Sequence, residues 1–274
     1  MARTRLDALL VDRGLFETRS RAAAAVMAGE VRLGEAGRPA RKPGQPVAAD
    51  VAVAVREGPT FVSRGGTKLA NALDALGLDP SGRCCLDVGA STGGFTDCLL
   101  QRGAGHVVAL DVAYGELDWR LRGDPRVTVI ERRNARGLVS GDLPYRPKLA
   151  TVDLSFISLE KVLGAIVACL EERFDCLALV KPQFEVGRGR VGKGGVVRSP
   201  EERRRVLAAV GAHARDELGC AVMGYASSGL PGPAGNRESF VWLAEGSRAG
   251  AVEDVEAAAG AVEPLDREPS GSRA

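Results

Sequence analysis

Residues 87–95 read Asp87-Val-Gly89-Ala90-Ser91-Thr92-Gly93-Gly94-Phe95 and follow the apolar run Cys84-Cys85-Leu86. The order is a buried strand, an acidic residue, a glycine-bearing turn, and then a helical pattern opening at Phe95, Leu99 and Leu100. Glycines let backbone approach a bound ligand closely, and the free N–H groups at a helix start face it. Gly89 and Gly93 are four apart with no glycine between them, so the turn departs from the G-x-G-x-x-G of a dinucleotide site. Asp87 ahead of the turn suits a ligand with a cationic amino-acid end better than one with a pyrophosphate. S-adenosylmethionine (SAM) is such a ligand. A tight strand-to-helix turn with no ligand is the alternative that this segment alone leaves open.

Further residues at strand ends fit the same chemistry. Asp111 closes the next apolar run, about twenty residues past the first glycine, where a carboxylate can accept both ribose hydroxyls of an adenosine group; a solvated strand-end carboxylate is the competing reading. Asn134 follows a third strand pattern and suits an adenine edge; a plain turn former is the competing reading. Lys181, in Leu-Ala-Leu-Val-Lys181-Pro182, is delivered by an apolar strand that Pro182 stops. Partial desolvation there favours its neutral form, and a neutral amine can take a proton from a sugar hydroxyl. Asp153 ends a neighbouring strand pattern and can orient that lysine. Lys68 and Glu238 stand far off in sequence beside glycine-bearing turns, and spacing alone reads them as surface charges.

Two basic features suggest a polyanion. Gly187-Arg-Gly-Arg-Val-Gly192-Lys193-Gly194 nearly matches a phosphate-binding loop, but Gly194 stands where the Mg²⁺-holding Ser/Thr belongs; a basic lid over a polyanionic substrate fits better, with an uncommitted flexible loop as the competing reading. Arg3, Arg5, Arg13, Arg19 and Arg21 can contact phosphates or serve solubility. Net charge is only +2 over 274 residues, yet residues 1–62 carry ten basic and seven acidic groups, while 245–274 carry three and seven. Without that tail the chain is near +6, which permits a polyanionic partner.

The six cysteines form no C-x-x-C and only two histidines exist, so neither a zinc site nor a disulfide framework is expected. With 45% hydrophobic and 4% aromatic residues the core is mostly Val, Leu and Ala. Asp7 and Asp12 interrupt the first apolar run, so no signal peptide is read, and no run of about 18 apolar residues spans a membrane. The expectation is a cytoplasmic protein.

The elements that must position these residues fall into blocks. Residues 1–57 predict two short helices and small strands at 31–33 and 51–55, with an irregular stretch between them. Residues 58–67 read as a linker. From Lys68 a helix pattern is closed by Gly77. Strands at 83–88, 106–111, 127–131, 149–154, 176–181, 220–227 and 239–244 then alternate with helices at 95–102, 115–122, 158–170 and 200–218. This order predicts an α/β fold with a mostly parallel sheet and ligands at the carboxyl ends of its strands. Residues 246–274, rich in Ala, Gly, Glu, Pro and Ser, predict a disordered tail.

Taken together, the chain resembles the TlyA family, whose members are described both as hemolysins and as ribosomal RNA 2′-O-methyltransferases. The motifs that carry the resemblance are Ser63-Arg64-Gly-Gly-Thr-Lys68-Leu, Asp87–Thr96, Asp111-Val-Ala-Tyr-Gly115, Asp124-Pro-Arg-Val127, Asn134-Ala-Arg136, Asp153-Leu-Ser-Phe-Ile-Ser158, Lys181-Pro-Gln-Phe-Glu-Val-Gly187 and Gly232-Pro-Ala-Gly-Asn236. They span residue 3 to about 245. The resemblance implies an S-four-type RNA-binding domain at 1–57 and a Rossmann-like, FtsJ-type methyltransferase domain at 68–245. It places a catalytic tetrad on Lys68, Asp153, Lys181 and Glu238, and it implies SAM bound by Asp87, Gly89–Phe95, Asp111, Asn134 and Asp153. Arg64 and the five N-terminal arginines are then expected on ribosomal RNA or ribosomal subunits, with methylation of cytidine 2′-hydroxyls in 16S and 23S rRNA and no metal. The family's linker carries a basic residue and a tryptophan where this chain has Pro59-Thr-Phe61-Val62. A membrane-active hemolysin and a non-catalytic SAM-holding RNA-binding factor are the competing function classes.

Overall fold

The computed structural model describes residues 3–27, 30–34, 37–55, 60–192 and 194–263. The chain divides into two units, Met1–Thr60 and Phe61–Ala274. The division falls inside the stretch read as a linker, but residues 64–67 of that stretch already belong to a helix, which starts four residues before the expected Lys68.

In the first unit β1 (Arg3–Arg5) runs directly into α1 (Leu6–Asp12), followed by α2 (Arg19–Met27), β2 (Val31–Leu33), β3 (Arg38–Pro39), β4 (Pro46–Ala48) and β5 (Val53–Val55). Leu6, Leu9 and Leu10 repeat at helical spacing and bury together with Ala22, Val26 and Val31. The Thr18 hydroxyl accepts the Arg21 N–H at 3.2 Å and so caps α2. β1 pairs antiparallel with β4, and β2 pairs antiparallel with β3 and β5. The stretch between residues 34 and 49, expected to be irregular, thus contains two short strands. They are only two and three residues long and carry no alternation that a sequence pattern could show.

The second unit runs α3 (Arg64–Leu76), β6 (Cys84–Val88), α4 (Gly94–Gln101), β7 (His106–Leu110), α5 (Trp119–Arg122), β8 (Val127–Ile130), β9 (Leu149–Val152), α6 (Leu163–Ala168), β10 (Asp175–Val180), α7 (Pro182–Glu185), α8 (Pro200–Asp216), β11 (Cys220–Ser227), β12 (Ser239–Glu245) and α9 (Val255–Val262). Its seven strands lie in the order β11-β12-β10-β9-β6-β7-β8. β10, β9, β6, β7 and β8 are mutually parallel, whereas β12 runs antiparallel between β10 and β11. One face buries Leu69 and Leu73 of α3 with Leu99 of α4 and Phe240. The other buries Leu163 and Ile166 of α6, Val206 and Leu207 of α8, and Ala259 of α9. β6 starts the sheet near its middle; the chain then builds outward to β7 and β8 before returning to the other side with β9. Strand order reverses between β6 and β9, which opens a crevice at their carboxyl ends.

Three expectations need correction. The helix expected at 115–122 is only α5, because the Asp118 carboxylate accepts the Arg120 N–H at 2.9 Å and starts it there. The segment expected as one helix over 158–170 breaks at Val162 into a 3₁₀ turn and α6. Part of the expected tail is α9, capped by Asp254, with Val255 and Ala259 buried. Its composition of alanine, glycine and glutamate resembles a disordered segment, but its small side chains let it pack closely against α8. Residues 264–274 lie outside the described residues.

Candidate active site

The carboxyl ends of β6, β9 and β10 open into a cleft of about 730 Å³. Its first wall is the turn after β6. Gly89 has φ +86°, and a Cβ there would collide with the Asp153 carbonyl oxygen. Glycine is therefore required for two reasons, the left-handed backbone and the close approach of the loop after β9. Gly93 is also left-handed, at φ +97°, and α4 begins at Gly94. Gly89, Ala90, Ser91, Thr92, Gly94 and Phe95 line the cleft. Asp111 locks this turn to the end of β7, its carboxylate accepting the Ser91 N–H at 2.7 Å and the Ala113 N–H at 2.8 Å. A carboxylate has about four acceptor sites, so two remain for ribose hydroxyls. Asp111 faces a small adjoining hollow that it shares with Ala90, Ser91 and Glu131.

Asp87 and Asn134 sit differently from expectation. The Asp87 carboxylate is fully buried within the sheet, accepting from Thr96 Oγ1 at 2.7 Å and Thr151 Oγ1 at 3.4 Å, and it does not line the cleft. Burial pushes its pKa up to about 7, with the nearby Asp153 charge adding to the rise. Its side chain points inward because every residue of β6 after Cys84 is buried, on both faces of a central parallel strand. Asn134 lines neither hollow. Its side-chain oxygen accepts the Arg136 N–H at 2.9 Å and caps a 3₁₀ turn, the turn-forming role that competed in the sequence.

The second wall holds two ion pairs. The Lys181 ammonium, at the end of β10, contacts the Asp153 carboxylate and lies 3.1 Å from Ser155 Oγ. The Lys68 ammonium, on α3, meets the Glu238 carboxylate just before β12, and both side chains are buried. Four residues spread over 170 positions thus line one cleft. Sequence spacing treated Lys68 and Glu238 as separate surface charges; the antiparallel entry of β12 beside β10 delivers one, and the packing of α3 delivers the other. Each amine is met by its own carboxylate rather than by the other amine.

Around this centre, Arg64 donates to the Pro231 carbonyl at 2.7 Å at the cleft edge. Four of the five other arginines proposed for RNA already hold intramolecular partners in the first unit. Arg5 and Arg19 pair with the buried Asp7, Arg21 pairs with Glu17, and Arg13 donates to the Ala49 and Val51 carbonyls. Their side chains stay largely open to solvent, at 57–69% exposure for Arg5, Arg19 and Arg21, and Arg3 is exposed.

Sequence reasoning gave no role to several cleft residues. Phe156 is 91% exposed, holds a left-handed φ of +65°, and lies 5.1 Å from the Phe184 ring between centroids. Asn236 is buried and bonded through both amide atoms. The signal for Phe156 was its place three residues past Asp153, in the loop after β9; nothing marked it as exposed, since a Phe beside an apolar strand reads as core. Asn236 sits in a proline- and glycine-rich turn, where asparagine is an ordinary choice.

The sequence profile of the FtsJ-like methyltransferases matches residues 61–245, nearly the whole sheet unit. Over 243 residues the chain is 52% identical to the 16S/23S rRNA (cytidine-2′-O)-methyltransferase TlyA of Mycobacterium tuberculosis, covering 88% of this chain and 90% of that protein. The chain belongs to the TlyA family of FtsJ-like methyltransferases. A candidate rRNA methyltransferase of Bacillus subtilis, YqxC, is 44% identical over 88% of this chain and 87% of its own length. The solved structure of a candidate hemolysin from Streptococcus thermophilus superposes with a TM-score of 0.70 at 37% identity, covering 95% of this chain and 96% of that one. The family resemblance read from Ser63–Leu69, Asp87–Thr96 and Lys181–Gly187 is therefore borne out, and so is the α/β methyltransferase sheet. Among the described residues no helix is long and apolar enough to cross a membrane.

Proposed function

We propose that this TlyA-family chain transfers a methyl group from SAM to the ribose 2′-hydroxyl of cytidines in 16S and 23S rRNA, in the cytoplasm where ribosomes are assembled. The observation that carries the reading is the meeting of the Lys181–Asp153 and Lys68–Glu238 pairs with the Gly89–Phe95 turn in one cleft at the strand-order reversal.

The residues present fit SAM. The turn from Gly89 to Phe95 is shaped so that no side chain fills it at Gly89, and Asp111 keeps two acceptor sites for a diol. When bound, SAM supplies an already activated methyl group on a sulfonium sulfur. Because the electrophile is activated, the protein's part is positioning and proton removal. Once the Lys181 ammonium has released a proton to solvent, the amine takes the proton of the attacking hydroxyl, while Asp153 and Ser155 hold its Nζ toward the cleft. Lys68 and Glu238 hold each other and keep the wall of the cleft in register. Phe156 and Phe184 present an aromatic face at the mouth, a surface on which a base drawn out of its helix stacks. Arg64 contacts a phosphate beside it. The first unit, S-four-like by resemblance, holds rRNA through the exposed faces of Arg3, Arg5, Arg13, Arg19 and Arg21.

The deciding experiment is incubation of the protein with methyl-labelled SAM and ribosomal subunits, followed by mapping of the label. The wild type labels a cytidine ribose. Lys181→Ala abolishes transfer and leaves SAM affinity within about twofold, since the base does not hold the cofactor. Full activity of Lys181→Ala removes the proposed base. No labelling of rRNA, together with leakage from pure phospholipid vesicles, would move the chain to the hemolysin class.

A further inference from the structure

Residues 195–198 lead from the cleft, where Gly195 is part of the lining, between two buried polar side chains that play no direct part in the chemistry above. On one side, the Asn236 side-chain oxygen accepts the Val197 N–H at 2.9 Å, and its amide donates to the Gly195 carbonyl at 2.9 Å. Asn236 is 1% exposed, so both amide atoms are spent on this segment out of water. On the other side, the buried Arg203 of α8 donates to the Val197 carbonyl at 3.3 Å and the Arg198 carbonyl at 2.6 Å, while its Nε pairs with Glu263 just past α9. Gly195 and Val191 line the cleft. Asn236 itself belongs to the turn that carries Glu238: Gly232 donates to the Asn236 carbonyl at 2.8 Å, and a Cβ on Gly232 would collide with the Glu238 carboxylate.

We propose that Asn236 and Arg203 are positioning residues, a two-sided clamp on residues 195–198 that sets the RNA-facing wall of the cleft and registers it to the Lys68–Glu238 pair. The inference rests on the reading of the cleft as an RNA methylation site. An arginine suits this place because its fork reaches two carbonyls and a carboxylate at once, which a lysine ammonium does not. The opposite wall, from Gly89 to Phe95 with Asp111, shares no hydrogen bond with the clamp, so SAM affinity is separable from RNA affinity.

The test uses the full chain with Asn236→Ser, Arg203→Lys, Glu263→Gln and the Asn236→Ser/Arg203→Lys double variant. Brief trypsin digestion reads the rate of cutting after Arg190 against the rate after Lys148, and steady-state assays give KM for ribosomal RNA, kcat and the SAM Kd. The expected result for each of Asn236→Ser and Arg203→Lys is a roughly tenfold rise in the Arg190/Lys148 cutting ratio and in KM for RNA. The SAM Kd stays within about twofold, and Glu263→Gln gives a smaller change because the neutral amide still accepts from Arg203. The double variant should be no worse than the worse single, because both act through one segment. An unchanged cutting ratio, an unchanged KM, or multiplying effects overturns the clamp, and so does equal acceleration at both sites, which marks a general stabiliser. If the wild type methylates no rRNA, the functional reading falls while the cutting ratio still decides the clamp.

Discussion

Replacing Asp87 by asparagine tests the electrostatics beneath the ligand wall. The carboxyl is wholly buried with two threonine hydroxyls as side-chain donors, and burial pushes its pKa up to about 7. In the unfolded chain an aspartate titrates near 4. The folded state therefore binds the extra proton between those values. Stability from this group is intact below about pH 4, falls as pH rises toward 7 and then levels off. The slope is about 1.4 kcal/mol per pH unit, so roughly 4 kcal/mol is lost by pH 7 and about 2–3 kcal/mol of it between pH 5 and 8. Asparagine has nearly the same shape and does not ionise. Both tryptophans, Trp119 and Trp242, lie in the second unit, so urea unfolding followed by their fluorescence reports on the unit that contains Asp87. The stability of Asp87→Asn minus that of the wild type should grow by about 2–3 kcal/mol from pH 5 to pH 8. Subtracting the two proteins removes the other titrating groups, which they share. A difference that does not change with pH would refute the argument that this carboxyl is held against its charge.

Three further outcomes follow from the same geometry. Glu238→Gln leaves the Lys68 ammonium buried beside a neutral group and should destabilise the second unit by about 3 kcal/mol in urea unfolding, a loss absent if the pair is solvated in solution. Gly89→Ala forces a Cβ into the Asp153 carbonyl and strains a left-handed backbone, so kcat for methyl transfer should fall on the order of a hundredfold, against a small change if the loop simply relaxes. Burial pushes Cys85 and Cys98 to about 12 and Cys220 to about 11, and raises Cys169 and Cys176, whereas Cys84 is half-buried. A thiol reagent at pH 8 should label one cysteine in the native protein and six in urea; rapid native labelling of two or more contradicts the packing.

How much of the fold and the site is legible in the sequence depends on the range of the interaction concerned. Local signals located β6, its glycine turn and the start of α4, because strand burial, left-handed φ and helix initiation are each written within a few neighbouring residues. Alternating apolar runs likewise placed all seven strands of the large sheet to within one or two residues at most ends. Asp111 and Lys181 were legible as strand-end groups for the same reason. Direction was harder: only burial of β6 on both sides turned Asp87 inward, and only the capping of a turn claimed Asn134. Short strands β3 and β4 and helix α9 escaped because their residues lack a period long enough to register, and their stability comes from partners elsewhere in the chain. The pairing of Lys68 with Glu238, 170 residues apart, and the hold of Asn236 and Arg203 on one segment have no local signature at all. Composition and pattern settle which segments become strands and which turns can bend. Which charges end up neutralising each other is decided by how α3, β10 and β12 pack, since a buried charge must find its partner in space and not along the chain.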